Sequence, residues 1–298
     1  MLTVRAPATS ANLGSGFDVF GVALSGPADV LRVEKATRTT LTVVGSGSQY
    51  IPEDPKKNTV GAVVDELDAP ARIRIDKGVR PASGLGSSAA SAAGAAVALN
   101  ELYDRGYSRE ELVPVAAKGE AVATGEAHKD NVAPSLLGGF TIVADGCVTT
   151  MESDLSFVVC LPDVVVSTSN ARKVLPDGAR LDELVETVGN ASTLTAGIAR
   201  DDPYLVGRGM SDPVITPARA SLIDGYETVH NRAVEAGAAG VTVSGSGPGV
   251  IAVCPDGLQR RVAAAMVGGF EDCGVDARAY QTGVGEGAQI VRNERNSE

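Results

Sequence analysis

Short runs of alternating apolar and polar residues predict β-strands along much of the chain. In the first third these runs are Leu2–Ala6, Asp29–Glu34, Thr39–Val44 and Arg72–Asp76, separated by Gly, Pro and Ser clusters. Later runs occupy 139–144, 157–162, 164–168, 241–244, 250–254 and 277–282.

Helices are predicted between these strands. An Ala-rich stretch follows a glycine turn at 84–103, and its internal Gly94 indicates the close approach of another element. Ser108 and Glu111 have the spacing of a capping box, which predicts a helix to about residue 124, kinked or delayed by Pro114. Further helices are predicted at 181–199, from 216 onward and at 257–270, and the tail 293–298 is expected to be frayed.

This mixture of strands and helices predicts an α+β protein with two closely packed domains, 1–155 and 156–298. Hydrophobic residues make up 44% of the 298 positions, although aromatic residues contribute only 4%. The four Cys have neither disulfide nor metal spacing, and Cys160 and Cys254 lie in apolar runs as small hydrophobes. Because the chain shows no apolar signal core and no run long enough to span a bilayer, we expect a cytoplasmic location.

The charge balance limits the partners. Asp and Glu number 37 against 26 Lys and Arg, which gives a net charge of −11. Nucleic acid and anionic membranes would repel such a chain, so neither is expected as a partner. Two explanations of the acidity stay open: a coding bias, and a salt-rich cytoplasm in which screening makes an acidic surface tolerable.

The strongest candidate for chemistry is Gly-Leu-Gly-Ser-Ser-Ala-Ala at 84–90, which leads into the Ala-rich helix. Two glycines permit a tight turn with inward-pointing N–H groups, and the helix start adds unpaired N–H groups and a positive dipole end. Together they predict an anion site, where a hydroxyl can also ligate Mg²⁺. The Gly-Lys-Ser/Thr ending of a Walker loop is missing. A Ser-capped helix after a plain glycine turn stays as the alternative.

Three other segments place polar groups on glycine-containing turns: 12–18, 126–139 and 244–249. Each segment alone also fits ordinary structure: a turn after a strand, a turn that holds His128, and a long hairpin connection.

Considered together, these segments resemble the GHMP kinase superfamily. PASGLGSSAA and SGSGPG are similar to its phosphate-loop and C-terminal glycine motifs. ATSANLGSGFD, HKDNVAPSLLGGF and TSNARKVLP are similar to the versions found in its homoserine kinase family. The five motifs run in order from Arg5 to about Val253. The resemblance implies an N-terminal domain like domain 2 of ribosomal protein S5 and a ferredoxin-like C-terminal domain.

The same resemblance implies an activity. It indicates ATP-dependent phosphorylation of the hydroxyl of L-homoserine to O-phospho-L-homoserine, in threonine biosynthesis, with Mg²⁺ as cofactor. ATP and homoserine would meet in the cleft between the domains. A homodimer is compatible with it.

The resemblance also implies roles for individual residues. The ATP phosphates would contact Pro81, Ala82, Ser83, Gly84, Leu85, Gly86, Ser87, Ser88, Ala89 and Ala90, although Pro81 stands further from Gly84 than the usual motif has it. Ser88 and Glu120 would ligate Mg²⁺.

For the acceptor, the resemblance implies that Asn12 and Asp18 face the ammonium and hydroxyl end. Arg172 and Arg219 would grip the carboxylate, where guanidinium groups bind in bidentate fashion. His128 and Gly245 would complete the substrate contacts.

Asn131 is expected to share the catalytic role with Ser88 and Glu120, and it marks a difference within the superfamily. Relatives such as mevalonate kinase carry a catalytic Asp where this chain has Asn131. An amide cannot accept the hydroxyl proton, so the resemblance implies a mechanism without a side-chain base. A loose phosphoryl transition state tolerates this, because it needs little early deprotonation of the nucleophile.

Two alternatives stay open. One is a GHMP kinase that acts on mevalonate, a sugar or shikimate, which the TSNAR and ANLGSGFD segments argue against. The other is a catalytically silent member that binds a nucleotide or metabolite as a regulator, which the intact Ser88 and Glu120 argue against.

Overall fold

The computed structural model describes residues 1–125, 127–144 and 146–291. Its strands are β1 (Leu2–Ala11), β2 (Phe20–Lys35), β3 (Thr40–Gly45), β4 (Ala71–Lys77), β5 (Phe140–Ala144), β6 (Cys147–Met151), β7 (Ser156–Pro162), β8 (Gly240–Val243), β9 (Val250–Cys254), β10 (Ala277–Gly283) and β11 (Gln289–Ile290). Its helices are α1 (Thr59–Glu66), α2 (Ser87–Tyr103), α3 (Leu112–Thr124), α4 (Lys129–Leu137), α5 (Thr168–Lys173), α6 (Leu181–Ile198), α7 (Pro203–Gly209), α8 (Ile215–Ala220), α9 (Tyr226–Glu235) and α10 (Gln259–Glu271). None of the helices in these ranges is long and apolar enough to cross a membrane. The predicted frayed tail, 293–298, lies outside the described residues.

The larger sheet has the strand order β11-β1-β2-β4-β3, and the β5–β6 hairpin joins it through β2. All pairs are antiparallel except β3 and β4. The period of two is clear in β4, where Ala71, Ile73 and Ile75 are buried and the residues between them are not.

The Ala-rich helix α2 lies at the centre of the larger core. Every residue from Ala89 to Leu99 is buried, so the helix has no solvent face in this stretch. A Cβ at Gly94 would lie 2.6 Å from Leu31 Cδ1 and 3.3 Å from Ala6 Cβ. The predicted close approach at Gly94 is therefore confirmed. It allows α2 to press against β1 and β2, which fixes the position of its N-terminus.

The predicted capping box before α3 is present. The Ser108 N–H donates to Glu111 Oε2 at 2.8 Å, and the Glu111 N–H donates to Ser108 Oγ at 3.2 Å. The helix itself begins at Leu112, with Pro114 in its first turn, where the missing N–H costs nothing. From this start α3 runs beside α2.

The smaller sheet is antiparallel, with the order β10-β7-β9-β8. A second core lies between this sheet and helices α9 and α10, and it includes Cys160, Cys254 and Phe270. Burial raises the pKa of both thiols to about 12, so the two cysteines behave as the small hydrophobes that were predicted.

The α+β prediction is confirmed. The proposed division after residue 155 falls just before β7, and β11 returns to the larger sheet.

One predicted strand is wrong. The Val-rich run 164–168 is irregular up to Ser167, and Thr168 begins α5. β7 pairs with β9 and β10 only as far as Pro162, so the run that follows has no neighbouring strand. Instead, the Ser167 side chain accepts from the Asn170 N–H and caps α5.

Candidate active site

A cavity of about 550 Å³ lies where the two sheets' loops meet. Its walls come from residues 81–86 before α2, called the phosphate loop after the motif they carry, from Glu120 of α3, from the start of α4, and from Gly245 in the loop between β8 and β9. The segments that carry the five sequence motifs are therefore neighbours in space.

The phosphate loop has a backbone that favours glycine. The φ angles of Ala82, Gly84 and Gly86 are 53°, 77° and 61°. A Cβ at Gly84 would lie 2.3 Å from the Ser244 carbonyl oxygen, so only glycine fits there. Ser244 Oγ also donates to the Gly84 carbonyl at 2.8 Å. The two glycine motifs thus form one packed unit.

A buried ion pair supports this loop from below. Lys77 Nζ contacts Asp29 Oδ2, donates to the Ser87 carbonyl at 2.8 Å and donates to Ser91 Oγ at 2.9 Å. Asp29 Oδ1 accepts from the Gly78 and Val79 N–H groups. Burial lowers the pKa of Lys77, and the Asp29 carboxylate opposes that shift. We refer to Asp29, Lys77, Ser87 and Ser91 as the loop clamp.

Ser88 and Glu120 meet at the cavity wall. Ser88 Oγ donates to Glu120 Oε1 at 3.3 Å, and Glu120 is 3% exposed. Burial raises the pKa of Glu120 well above its ordinary value; the charge of Asp130 adds to the shift and the Ser88 hydroxyl opposes it. His128 Nδ1 lies 4.0 Å from Glu120 Oε1.

These two residues fit Mg²⁺ by their chemistry. A hydroxyl and a carboxylate are hard oxygen ligands, and Mg²⁺ is usually held by one or two protein groups together with substrate phosphates. Within the described ranges, no group of three or more His, Cys, Asp or Glu side chains is arranged to hold a metal. A cation at Ser88 and Glu120 would also offset the cost of burying the carboxylate.

Asp130 is a site residue that the sequence analysis did not single out. It is 3% exposed and lines the cavity between His128 and Asn131. Burial raises its pKa to about 7; the charge of Asp18 adds to the shift, and Arg172 opposes it. Its position inside the HKDN motif was the available signal, but burial of that side chain cannot be read from the sequence.

Asn131 lies against the phosphate loop. Thr9 Oγ1 donates to Asn131 Oδ1 at 2.9 Å. A Cβ at Gly86 would lie 2.8 Å from the same oxygen, which shows how closely the loop and the amide approach each other. Nδ2 is the donor of the Asn131 side chain, and the bond from Thr9 to Oδ1 fixes the orientation in which the amide meets a ligand.

The turn after β1 contributes Asn12 and Asp18 to the lining of the cavity. Asn12 and Asp18 have φ angles of 71° and 56°, which Asn and Asp tolerate better than other side chains. Asn12 Oδ1 accepts from the Asp18 N–H at 2.9 Å, while its Nδ2 donates to the Gly245 carbonyl at 3.0 Å. Arg219 donates to the same carbonyl at 2.7 Å. Gly245 therefore takes part through its backbone.

The two arginines expected to bind a carboxylate lie on different helices near this turn. Arg172, from α5, donates to Asp18 Oδ2 at 2.8 Å, and its Nη2 lies 3.5 Å from His128 Nε2. Arg219, from α8, is 4% exposed, and within the described part of the chain its Nε has no hydrogen-bond partner. Burial lowers the pKa of Arg219, opposed by Asp18 and reinforced by Arg172.

Most of the expected site residues line this cavity: Asn12, Asp18, Pro81, Ala82, Ser83, Gly84, Leu85, Gly86, Ser87, Ser88, Glu120, His128, Asn131, Arg219 and Gly245. Arg172 instead lines an adjoining cavity of about 350 Å³, together with Asp18, His128 and Asp130. Ala89 and Ala90 line neither cavity, because both are fully buried in α2. Residues that sequence reasoning missed include Tyr50, Ile51, Pro52, Asn58, Lys77 and Thr168.

Two family models match the chain. The model for the N-terminal domain of GHMP kinases matches residues 56–139, and the model for their C-terminal part matches residues 194–272. Both matches contain residues of the cavity, including Ser88, Glu120 and Arg219.

Individual relatives cover almost the whole chain. A homoserine kinase of Haloarcula marismortui is 70% identical over 97% of this chain and 100% of its own length. The crystal structure of a homoserine kinase from Cytophaga hutchinsonii superposes with a TM-score of 0.90 at 34% identity, over 97% of both chains.

A more distant solved structure shows the same fold. The mevalonate kinase of L. major in complex with R-mevalonate matches with a TM-score of 0.72 at 17% identity, over 95% of both chains. At that identity the likeness concerns the fold alone. The family models and the close relatives are more specific, and they show that the chain belongs to the GHMP kinases and, within them, to the homoserine kinase family.

Proposed function

We propose that this chain transfers the γ-phosphate of ATP to the hydroxyl of L-homoserine, which yields O-phospho-L-homoserine for threonine biosynthesis. One observation carries the proposal. The cavity has an anion-binding helix N-terminus on one wall and Arg219 with acidic side chains on another, where the adjoining cavity adds Arg172. A triphosphate needs the first wall, and a zwitterionic amino acid needs the second.

The phosphate wall suits the donor. The N-terminus of α2 presents unpaired N–H groups and the positive end of the helix dipole to the cavity. Ile51 and Pro52 contribute apolar side chains to the lining of the cavity, and the adenine is proposed to lie against them. Ser88 and Glu120 would hold Mg²⁺, which would neutralise charge on the phosphates.

The acceptor wall suits homoserine. Arg172 and Arg219 supply the cationic groups for the carboxylate, and Asp18 and Asp130 supply anionic groups for the ammonium. Asn131 lies between this wall and the phosphate loop, so its Nδ2 can donate to the acceptor hydroxyl and orient it. Positioning of this kind accounts for a large part of the rate in phosphoryl transfer.

We further propose that the hydroxyl proton passes directly to the transferred phosphoryl group, without a side-chain base. Asp130 is the competing candidate, since a carboxylate with a pKa of about 7 can accept a proton at neutral pH. The pH–rate profile of Asp130→Asn separates the two. Loss of an acidic limb centred near pH 7, with kcat reduced at all higher pH, would identify Asp130 as the base.

An ADP-release assay across acceptors tests the proposed function. Homoserine should be the preferred acceptor, with mevalonate, shikimate and galactose giving little turnover. Preference for mevalonate, shikimate or galactose would assign the chain to another GHMP kinase activity. ATP binding without turnover of any acceptor would indicate a regulator.

A further inference from the structure

Phe17 lies in the turn after β1 and lines neither cavity. The guanidinium carbon of Arg172 lies 5.2 Å from the centroid of its ring, and that of Arg219 lies 5.0 Å from the same centroid. Cations within about 6 Å of an aromatic centroid are attracted by the negative face of the ring. One side chain therefore contacts both arginines of the acceptor wall.

The turn holds Phe17 in a fixed position. Ser15 Oγ donates to the Gly209 carbonyl at 2.5 Å. A Cβ at Gly14 would lie 1.9 Å from the Met210 carbonyl oxygen, so the turn is packed tightly against the end of α7. The Gly16 N–H donates to the Asn12 carbonyl at 3.0 Å. On the other side of Phe17, the Val19 carbonyl accepts from the Val143 N–H of β5 at 2.8 Å. Residues before and after Phe17 are thus anchored to other parts of the fold.

The two arginines need such a support. They come from separate helices, α5 and α8, and the proximity of Arg172 contributes to lowering the pKa of Arg219. Two cations that repel each other spread apart unless other groups hold them. Asp18 contacts Arg172 and its charge also attracts Arg219, and the Gly245 carbonyl contacts Arg219. The Phe17 ring adds a rigid surface that lies against both guanidiniums.

We propose that Phe17 is a positioning residue that holds Arg172 and Arg219 at the spacing required by the carboxylate of the acceptor. The assignment rests on the proposed function, because it supposes an acceptor with a carboxylate. Phe17 itself touches no reacting atom. It contributes to specificity by favouring acceptors that bring an anionic group to the two guanidiniums.

The test compares wild type with Phe17→Leu, Phe17→Tyr and a protein with trifluorophenylalanine at position 17. Leucine keeps an apolar side chain without a ring. Fluorination keeps the shape of the ring but withdraws electron density from its face, which weakens the attraction to cations. Both should raise KM for homoserine about tenfold, while Tyr stays within about twofold of wild type. KM for ATP should stay within about twofold in all variants. Tyr280→Leu is the matched control. It removes an aromatic contact to Arg278, and both residues lie outside the two cavities.

A second acceptor separates positioning from general damage. 3-Aminopropan-1-ol has the chain, ammonium and hydroxyl of homoserine but no carboxylate. The Leu and fluorinated variants should lose kcat/KM for homoserine and keep it for this amine. Equal losses for both acceptors, or an unchanged KM for homoserine in the fluorinated protein, would overturn the proposal. The fluorinated protein decides the matter if Phe17→Leu does not fold. A wild type inactive toward homoserine would contradict the proposed function, and this proposal with it.

Discussion

The ion pair between Arg172 and Asp18 permits a test of the proposed carboxylate contact. Arg172→Ala removes a guanidinium from the proposed carboxylate contact and leaves the Asp18 charge to repel that carboxylate. Homoserine affinity should fall by about 1.5–3 kcal/mol, roughly ten- to hundredfold. Titration calorimetry with homoserine and with ATP measures both affinities. Arg200→Ala is the control, since Arg200 is exposed and lines neither cavity. An equal loss for ATP would refute the carboxylate assignment.

Glu120 permits a test of the metal assignment. Glu120→Gln keeps the shape of the side chain and removes its charge, so turnover should collapse and the Mg²⁺ concentration for half-maximal activity should rise. The check is a Mg²⁺ titration of the activity at fixed ATP. Near-normal turnover at ordinary Mg²⁺ would exclude Glu120 as a ligand.

Asp130 predicts a pH dependence of stability in the ligand-free protein. Its folded-state pKa, about 7, lies above its ordinary value of 3.8, so the folded protein binds the proton more tightly than the unfolded chain does. Stability should therefore fall as the pH rises from about 4 to about 7, by up to roughly 4 kcal/mol, because one pKa unit corresponds to about 1.4 kcal/mol.

Asp130→Asn should remove this dependence. The unfolding free energy of the variant minus that of wild type should therefore increase from pH 5 to pH 8. Urea unfolding at the two pH values measures it, and Asp256→Asn, at an exposed acid, controls for the loss of one negative charge. A difference between Asp130→Asn and wild type that does not change with pH would contradict the raised pKa.

The identities of most cavity residues could be predicted from the sequence because the motifs are contiguous and the resemblance assigns them. Which of these residues contact each other could not be predicted. Asp18 and Arg172 are separated by 154 positions, and Asn12 and Gly245 by 233. Asp130 was visible inside a motif, but its raised pKa depends on burial, which only the packed structure provides.

At the scale of elements, the loop clamp predicts a stability effect at the base of α2. Lys77→Met leaves the Asp29 carboxylate buried without its cation, which should cost about 3–5 kcal/mol of unfolding free energy. Adding Asp29→Asn should recover part of the loss, because it removes the unpaired charge. Lys118→Met is the matched control; its partner Glu66 is partly exposed, so it should cost less than about 1 kcal/mol. Equal losses for the two lysines in denaturant unfolding would argue against the clamp.

The success of the element predictions followed the strength of local signals. The Ala-rich helix and the capping box before α3 depend on neighbouring residues, and both were predicted. β2 was predicted only in its second half, because Gly26-Pro27 has the composition of a turn although the chain continues as one strand. α4 contains Pro134, and α5 replaces a predicted strand. In these cases tertiary packing outweighed propensity.

At the scale of the whole molecule, the net charge of −11 predicts a dependence on salt. Repulsion between surface carboxylates extends over about 30 Å at 0.01 M salt but only about 3 Å at 1 M. The Tm should therefore rise steeply with KCl up to molar concentration if the chain is adapted to a salt-rich cytoplasm. A sucrose series is the control, because sucrose strengthens burial without screening charge. A Tm that stays constant from dilute buffer to molar KCl would favour coding bias.

The return of β11 to the larger sheet has a consequence for motion. Val4 pairs with Ile290 in that sheet, while the whole smaller sheet lies between β6 and β11 along the chain. The smaller sheet is therefore an insertion with two covalent attachments, and bridges at Leu24–Val284 and Gly138–Glu286 reinforce the second one. A lobe held by a single linker can swing freely, but one held at two points retains few hinge axes. We therefore expect ligand entry to depend more on loop rearrangements at the rim of the cleft than on free rotation of one lobe.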